Sequence, residues 1–156
     1  LRAEGVIGAV GCGMNQAAML QRFVQRVDLD LVLLAGRYTL LDRSGEPLLS
    51  LCAERGVGVV LGGVFNSGLL ARPIAGATFD YASAPPQLVA RATAMQRVCD
   101  DFGVELPAAA MQFALRHPAV HTVLFGARSS AEVLADVSFG RSTLPDGLWS
   151  ALEAIH

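Results

Sequence analysis

Two glycine-marked turns carry the clearest chemical signals in the sequence. Gly126-Ala127-Arg128-Ser129-Ser130 lies between an apolar run and a helical pattern. Unpaired N–H groups at a helix start attract phosphate, and an arginine beside them adds a fixed cation. Gly62-Gly63-Val64-Phe65-Asn66-Ser67-Gly68 also follows an apolar run. Glycine lets backbone N–H groups approach an anion closely, so Gly63, Phe65, Ser67 and Gly68 are candidate contacts. Arg37 and Tyr38 follow a third apolar run and either face a ligand or pack their own loop. Asn15 either reaches a ligand or simply caps the helix that follows it.

Other reactive residue types carry less. His117 and His121 are four apart, but Pro118 stands between them, so they share no helix face and read as structural, with no metal site. Cys12, Cys52 and Cys99 have no metal-ligand spacing and read as free, packed thiols of a reducing cytosol. All twelve basic residues are arginine. A mechanism that needs a lysine cannot run on this chain alone.

The elements that must position these turns follow a repeating order. Residues 6–10 read as a strand running into the glycine cluster Gly11-Cys12-Gly13, with a helix over 16–27 whose apolar residues are Ala18, Met19, Phe23 and Val27. A second strand spans 31–35 and is continuously apolar, as burial on both faces would require. Pro47 opens a helix to Arg55, stopped by Gly56, and a third strand covers 57–61. Residues 72–86 read as a long loop. Helices follow over 86–102 and 107–117, then a fourth strand over 121–125. Ser129-Ser130-Ala131-Glu132 fits a capping box at the start of the next helix, and a last helix begins near Pro145. Met19, Met95 and Met111 are expected in the core.

Strands alternating with helices imply an α/β fold with a parallel sheet and outer helices. A doubly wound nucleotide-binding sheet would put G-x-G-x-x-G after its first strand, but Gln16 occupies the third glycine position. No acidic residue ends the second strand either. A slice of a (β/α)8 barrel fits better, because its functional loops follow every strand and its phosphate site follows the last two.

The composition sets outer limits. With 156 residues, the chain suits one domain. Hydrophobic residues make up 53% and charged residues 17%, an apolar balance that implies a covered sheet or a partner surface. No apolar run is long enough for a membrane span, and the first residues lack a signal-peptide layout. A net charge of −2 without a basic block argues against nucleic acid as a partner. A cytoplasmic location is expected.

Several longer blocks resemble the aldo-keto reductase family. Ile7-Gly8 with Gly11-Cys12-Gly13-Met14-Asn15-Gln16 is similar to its fifth-strand segment, and Leu33-Leu34-Ala35-Gly36-Arg37-Tyr38-Thr39-Leu40-Leu41 to its sixth. Leu61-Gly62-Gly63-Val64-Phe65-Asn66-Ser67-Gly68-Leu69-Leu70 resembles the seventh-strand loop. Gln112-Phe113-Ala114-Leu115-Arg116-His117-Pro118-Ala119-Val120 and Val123-Leu124-Phe125-Gly126-Ala127-Arg128-Ser129 resemble the eighth-strand region. The form is that of the branch holding aldose (L-fucose and D-threo-aldose) and pyridoxal dehydrogenases.

The resemblance implies a single partial domain over residues 1–156, the C-terminal half of a barrel, strands five to eight. Residues 1–5 would end the helix before strand five. It also implies NAD or NADP as cofactor and a carbonyl or sugar as substrate. Hydride passes between nicotinamide and substrate, and a tyrosine, its pKa lowered by a lysine, moves the proton. The family's catalytic Asp, Tyr, Lys and His come from strands one to four, so no catalytic residue can be placed here. Tyr38 and Tyr81, the only tyrosines, do not sit at the proton-donor position. Gly13 and Asn15 fall at the nicotinamide carboxamide, Gly62–Gly68 at the pyrophosphate, and Gly126, Ala127, Arg128 and Ser129 at the adenosine phosphate. Gly62 replaces the aromatic ring that many relatives stack on the nicotinamide. Glu132 replaces an arginine, Gly126 a lysine, and Asp136 stands near the adenine-binding asparagine; these departures weaken a preference for NADP. The expected partners are the missing N-terminal half or a second copy of the chain.

Overall fold

A computed structural model describes residues 1–155. Four strands form one parallel sheet: β1 (Gly11–Met14), β2 (Leu31–Ala35), β3 (Gly58–Gly62) and β6 (Val120–Leu124), in that spatial order. Between them run α1 (Ala17–Arg26), α2 (Glu46–Arg55), α3 (Pro86–Asp101) and α4 (Leu106–Leu115). Helices α5 (Ser130–Arg141) and α6 (Asp146–Glu153) follow the last strand. The segment between β3 and α3 carries a small antiparallel hairpin, β4 (Thr78–Phe79) and β5 (Ala82–Ser83).

The helices cover one face of the sheet. Val32, Leu34, Val59 and Leu61 alternate along β2 and β3 and are buried with Leu20, Val24, Leu48, Leu49 and Cys52 of α1 and α2. Helix α4 lies deepest, with seven of its ten residues buried. The other face is open. Leu33 and Val60 are register partners and only partly covered, and Leu31 of β2 and Leu124 of β6 are exposed. The expectation that strand 31–35 is buried on both faces is therefore corrected: only its even-numbered residues are.

The first strand also lies elsewhere than expected. Residues 6–10 form no strand of their own: Val6 and Ile7 are exposed, and only the Val10 carbonyl meets β2, accepting from the Asp30 and Leu31 amides. The glycine cluster is itself β1. A Cβ on Gly11 would sit 2.6 Å from the Leu31 carbonyl oxygen, so this edge packs against β2 through its missing side chains. Asp30 anchors the approach: its carboxylate accepts from the Val10 amide at 2.6 Å and pairs with Arg2 at 2.7 Å. The Val10 contact and Arg2 hold that carboxyl below its usual range. Residues 1–5 form turns rather than a helix end.

Helix α1 buries Leu20 and Val24, whereas Met19, Phe23 and Val27 are exposed, which reverses the expected apolar face. Met19 is accordingly outside the core, while Met95 and Met111 are inside it. At the opposite edge, α5 exposes Val133, Leu134 and Val137. Both outer strands thus have a neighbouring helix with uncovered apolar residues. Gly56 ends α2 with a left-handed φ of +67°. Ser129 caps α5 by accepting from the Glu132 amide. Among the described residues no helix is long and apolar enough to cross a membrane.

Candidate functional site

The C-terminal ends of the four parallel strands meet around a cavity of about 390 Å³. Asn15 enters it from beyond β1 and Gly36 from beyond β2. Gly63, Phe65, Ser67 and Gly68 enter from the loop after β3, and Gly126 from the turn after β6. The Gly36 amide donates to the Gly62 carbonyl at 2.9 Å and draws two of these exits together. Gly63 follows with a φ of +64°, and a Cβ there would lie 3.2 Å from the Gly36 nitrogen.

Asn66 lies inside the Gly62–Gly68 segment but is not singled out by its sequence, and the lining residues Gly36, Asp80 and Tyr81 are not expected there at all. Asn66 is 3% exposed and lines the cavity in a left-handed conformation, φ +47°. Its amide group donates to the Gly36 carbonyl at 3.4 Å, while its Oδ1 is buried with no partner among the described residues. A buried acceptor left unpaired costs free energy unless a ligand or water meets it. The signal was present in Asn66-Ser67-Gly68, since asparagine tolerates positive φ better than most residues.

The hairpin turn Asp80-Tyr81 closes one side of the cavity. Arg37 reaches Asp80 at 2.7 Å and Asp42 at 3.4 Å. The Asp80 contact, aided by both carboxylate charges, raises the guanidinium pKa against burial. Arg37 thus braces the hairpin rather than lining the cavity. Tyr38 takes the packing alternative of the two its sequence leaves open. It is buried, stacked on Phe113 at 5.1 Å between ring centroids and edge-on to His117 at 5.6 Å. Desolvation first, then the charge of Glu46, raises its phenol pKa. The ring belongs to the core and cannot stand at the cavity mouth. Gly13 lies within β1, in register with Leu33.

The helix start holds an internal anion. The Arg128 amide donates to one Glu132 carboxylate oxygen at 2.7 Å, and the guanidinium meets the other at 3.4 Å. That amide contact holds the Glu132 carboxyl below its usual range. Arg128 is otherwise exposed. A phosphate that takes the Arg128 amide must displace the Glu132 carboxylate from it. Asp136 is buried one turn further on, and desolvation and the Glu132 charge raise its pKa. Ala127 and Ser129 are exposed beside it. Of the residues expected at the adenosine phosphate, the cavity itself includes Gly126 alone. Among the described residues no cluster of His, Cys, Asp and Glu could hold a metal.

The donor set fits part of a dinucleotide. A buried acceptor on Asn66 and glycine-lined walls suit a polar, flat ligand portion next to close backbone. The Asn66 and Gly68 amides are already spent on Gly63 and Phe65 carbonyls, so fewer amides face an anion than the glycine count suggested.

The aldo/keto reductase family model matches residues 1–156. The chain belongs to this family. It is 44% identical to a pyridoxal 4-dehydrogenase of Microbacterium luteolum over 156 residues, covering 99% of this chain and 46% of that protein. It is 39% identical to a D-threo-aldose 1-dehydrogenase of a Pseudomonas species, covering 97% and 47%. The chain therefore spans about half the length of the curated relatives it matches. The holo form of an aldo-keto reductase from Bacillus halodurans superposes with a TM-score of 0.80 at 26% identity, over 99% of this chain and 52% of that one. The sheet described above corresponds to half of an aldo-keto reductase (β/α)8 barrel, and its open face is the barrel's inner face.

Proposed function

We propose that this chain is the cofactor-binding half of an NAD-linked aldo-keto reductase that oxidises an aldose, such as L-fucose, to its lactone. The observation that carries the reading is the cavity itself. Four strand ends that are far apart in sequence meet there, around an unpaired buried acceptor. When bound, a nicotinamide dinucleotide supplies the hydride-transfer chemistry. The chain's own residues hold and orient it. Asn66 Oδ1 accepts a hydrogen bond, Gly63 and Gly36 keep the wall low, and Arg128 pairs with a phosphate. Glu132 competes with any further anion at the α5 start, which favours NAD over NADP. The aldose follows from similarity to D-threo-aldose 1-dehydrogenase; pyridoxal is the competing substrate, by similarity to pyridoxal 4-dehydrogenase.

A second reading concerns the 156 residues by themselves. They contain no lysine, and among the described residues the sheet ends in two unpaired edges, β1 and β6. Unpaired edges and an open apolar face favour association with another copy or with complementary barrel strands. As an isolated chain it self-associates and does not turn over. NADH formation from L-fucose, D-arabinose and pyridoxal tests both readings, run on the isolated chain and on any longer product of its gene. Aldose-dependent NADH formation by a longer product, with none from the isolated chain, supports them. Turnover by the isolated chain refutes the second. Nucleotide-dependent turnover of pyridoxal without aldose refutes the substrate assignment.

A further inference from the structure

The hairpin beside the cavity carries a tyrosine where its turn calls for glycine. Asp80 and Tyr81 alone connect β4 to β5, with φ of +51° and +64°. Two central residues of positive φ fit a type I′ turn, whose second position favours glycine. A β-carbon there meets the backbone sterics that make left-handed residues rare. Tyr81 is also 94% exposed, and among the described residues its ring stacks on no other aromatic.

What holds the turn is its backbone and its neighbour. The Tyr81 amide donates to Ser67 Oγ at 3.3 Å, and Thr78 Oγ1 donates to the Ser67 carbonyl at 3.0 Å. Arg37 grips Asp80 at 2.7 Å. The turn is thus tied to the loops after β2 and β3, and Tyr81 lines the cavity they bound. A left-handed backbone and near-complete solvent exposure coincide at Tyr81, whose side chain is planar and stands at a cavity mouth. An observed outlier of this kind points to function rather than to folding.

We infer that Tyr81 is an aromatic platform that stacks on a planar ring of the nucleotide bound in this cavity. The inference rests on the dinucleotide reading above. A tyrosine suits the role because its rigid ring offers a large contact face and loses little freedom on binding.

The test uses Tyr81→Gly and Tyr81→Phe in the longest gene product that contains this chain, with NADH and ADP-ribose as probes. Tyr81→Gly removes the ring and relaxes the turn. Its Tm should match or exceed wild type, while affinity falls roughly 5- to 150-fold, the scale of base–aromatic stacking. Tyr81→Phe should keep wild-type affinity. A loss for NADH alone assigns the nicotinamide ring, and a loss for both probes assigns the adenine. Unchanged affinity of Tyr81→Gly for both probes overturns the inference. So does a lowered Tm, because a ring that the turn needs is a structural ring. Wild-type protein that binds neither probe refutes the dinucleotide reading itself, a result distinct from equal binding by wild type and variant.

Discussion

Gly63→Ala is expected to damage the cavity in a way that a remote, equally left-handed glycine does not. Gly63 and Gly56 have φ of +64° and +67°, so an alanine at either meets a similar backbone penalty, about 1–2 kcal/mol. Part of that is offset, by roughly 0.4–1 kcal/mol, because alanine restricts the unfolded chain. Gly56→Ala, with nothing within 4 Å of the new Cβ, should therefore cost about 0–1.6 kcal/mol. Gly63→Ala adds a Cβ 3.2 Å from the Gly36 nitrogen. That neighbour is backbone in a left-handed turn, so the exits of β2 and β3 must shift by a few tenths of an ångström. Overpacking of this kind adds about 1–3 kcal/mol. For a chain of this size the extra cost corresponds to roughly 2–10 °C in Tm. Thermal unfolding of both variants, with nucleotide titration, measures it. Gly63→Ala should be the less stable and should bind NADH more weakly, with Gly56→Ala binding as wild type. Equal stability of the two variants would refute the close approach of these exits as the cavity's foundation.

Three further outcomes are expected. Tyr38→Ala should destabilise by about 3–5 kcal/mol in chemical denaturation, as loss of a buried ring does, while Tyr38→Phe leaves stability and nucleotide affinity near wild type. Burial pushes the Cys52 and Cys99 thiols up to about 11, above the usual 9.0. The unfolded chain then ionises first, so their contribution to stability is full below pH 9 and is lost as pH rises toward 11. Denaturation midpoints across that window should fall less steeply in Cys52→Ala with Cys99→Ala than in wild type, and an identical slope would refute the assignment. Glu132→Gln should raise affinity for NADP relative to NAD in paired titrations, because the neutral amide no longer opposes the extra phosphate; an unchanged ratio removes Glu132 from cofactor choice.

The elements that sequence made legible are those built from long apolar runs with firm punctuation. Strand β2, helix α2 with Pro47 and Gly56, strand β3 and the long α3 all emerge that way. Strand β1 was hidden because its contact with β2 depends on glycines, which read as loop until Leu31 is seen against Gly11. The faces of α1 were misread because Met19, Phe23 and Val27 are as apolar as Leu20 and Val24. Only the position of the sheet distinguishes them. The hairpin escaped because its strands are two residues long and its turn lacks glycine. At the site, the glycine-rich segments were visible as such. The burial of Tyr38 against α4, the orphaned Asn66 oxygen and the Glu132 clasp on Arg128 all depend on tertiary neighbours that no local pattern encodes.

Binding of a nicotinamide dinucleotide at the strand ends is the central claim, and an NADH fluorescence titration tests it most directly. The protein is compared with its Arg128→Ala variant at one fixed ionic strength. Wild type should saturate. The variant should bind more weakly by about 1–3 kcal/mol, the worth of a charge-assisted hydrogen bond to phosphate, or roughly 5- to 150-fold in affinity. Absence of saturable binding by wild type, or the same affinity in both proteins, would contradict the account.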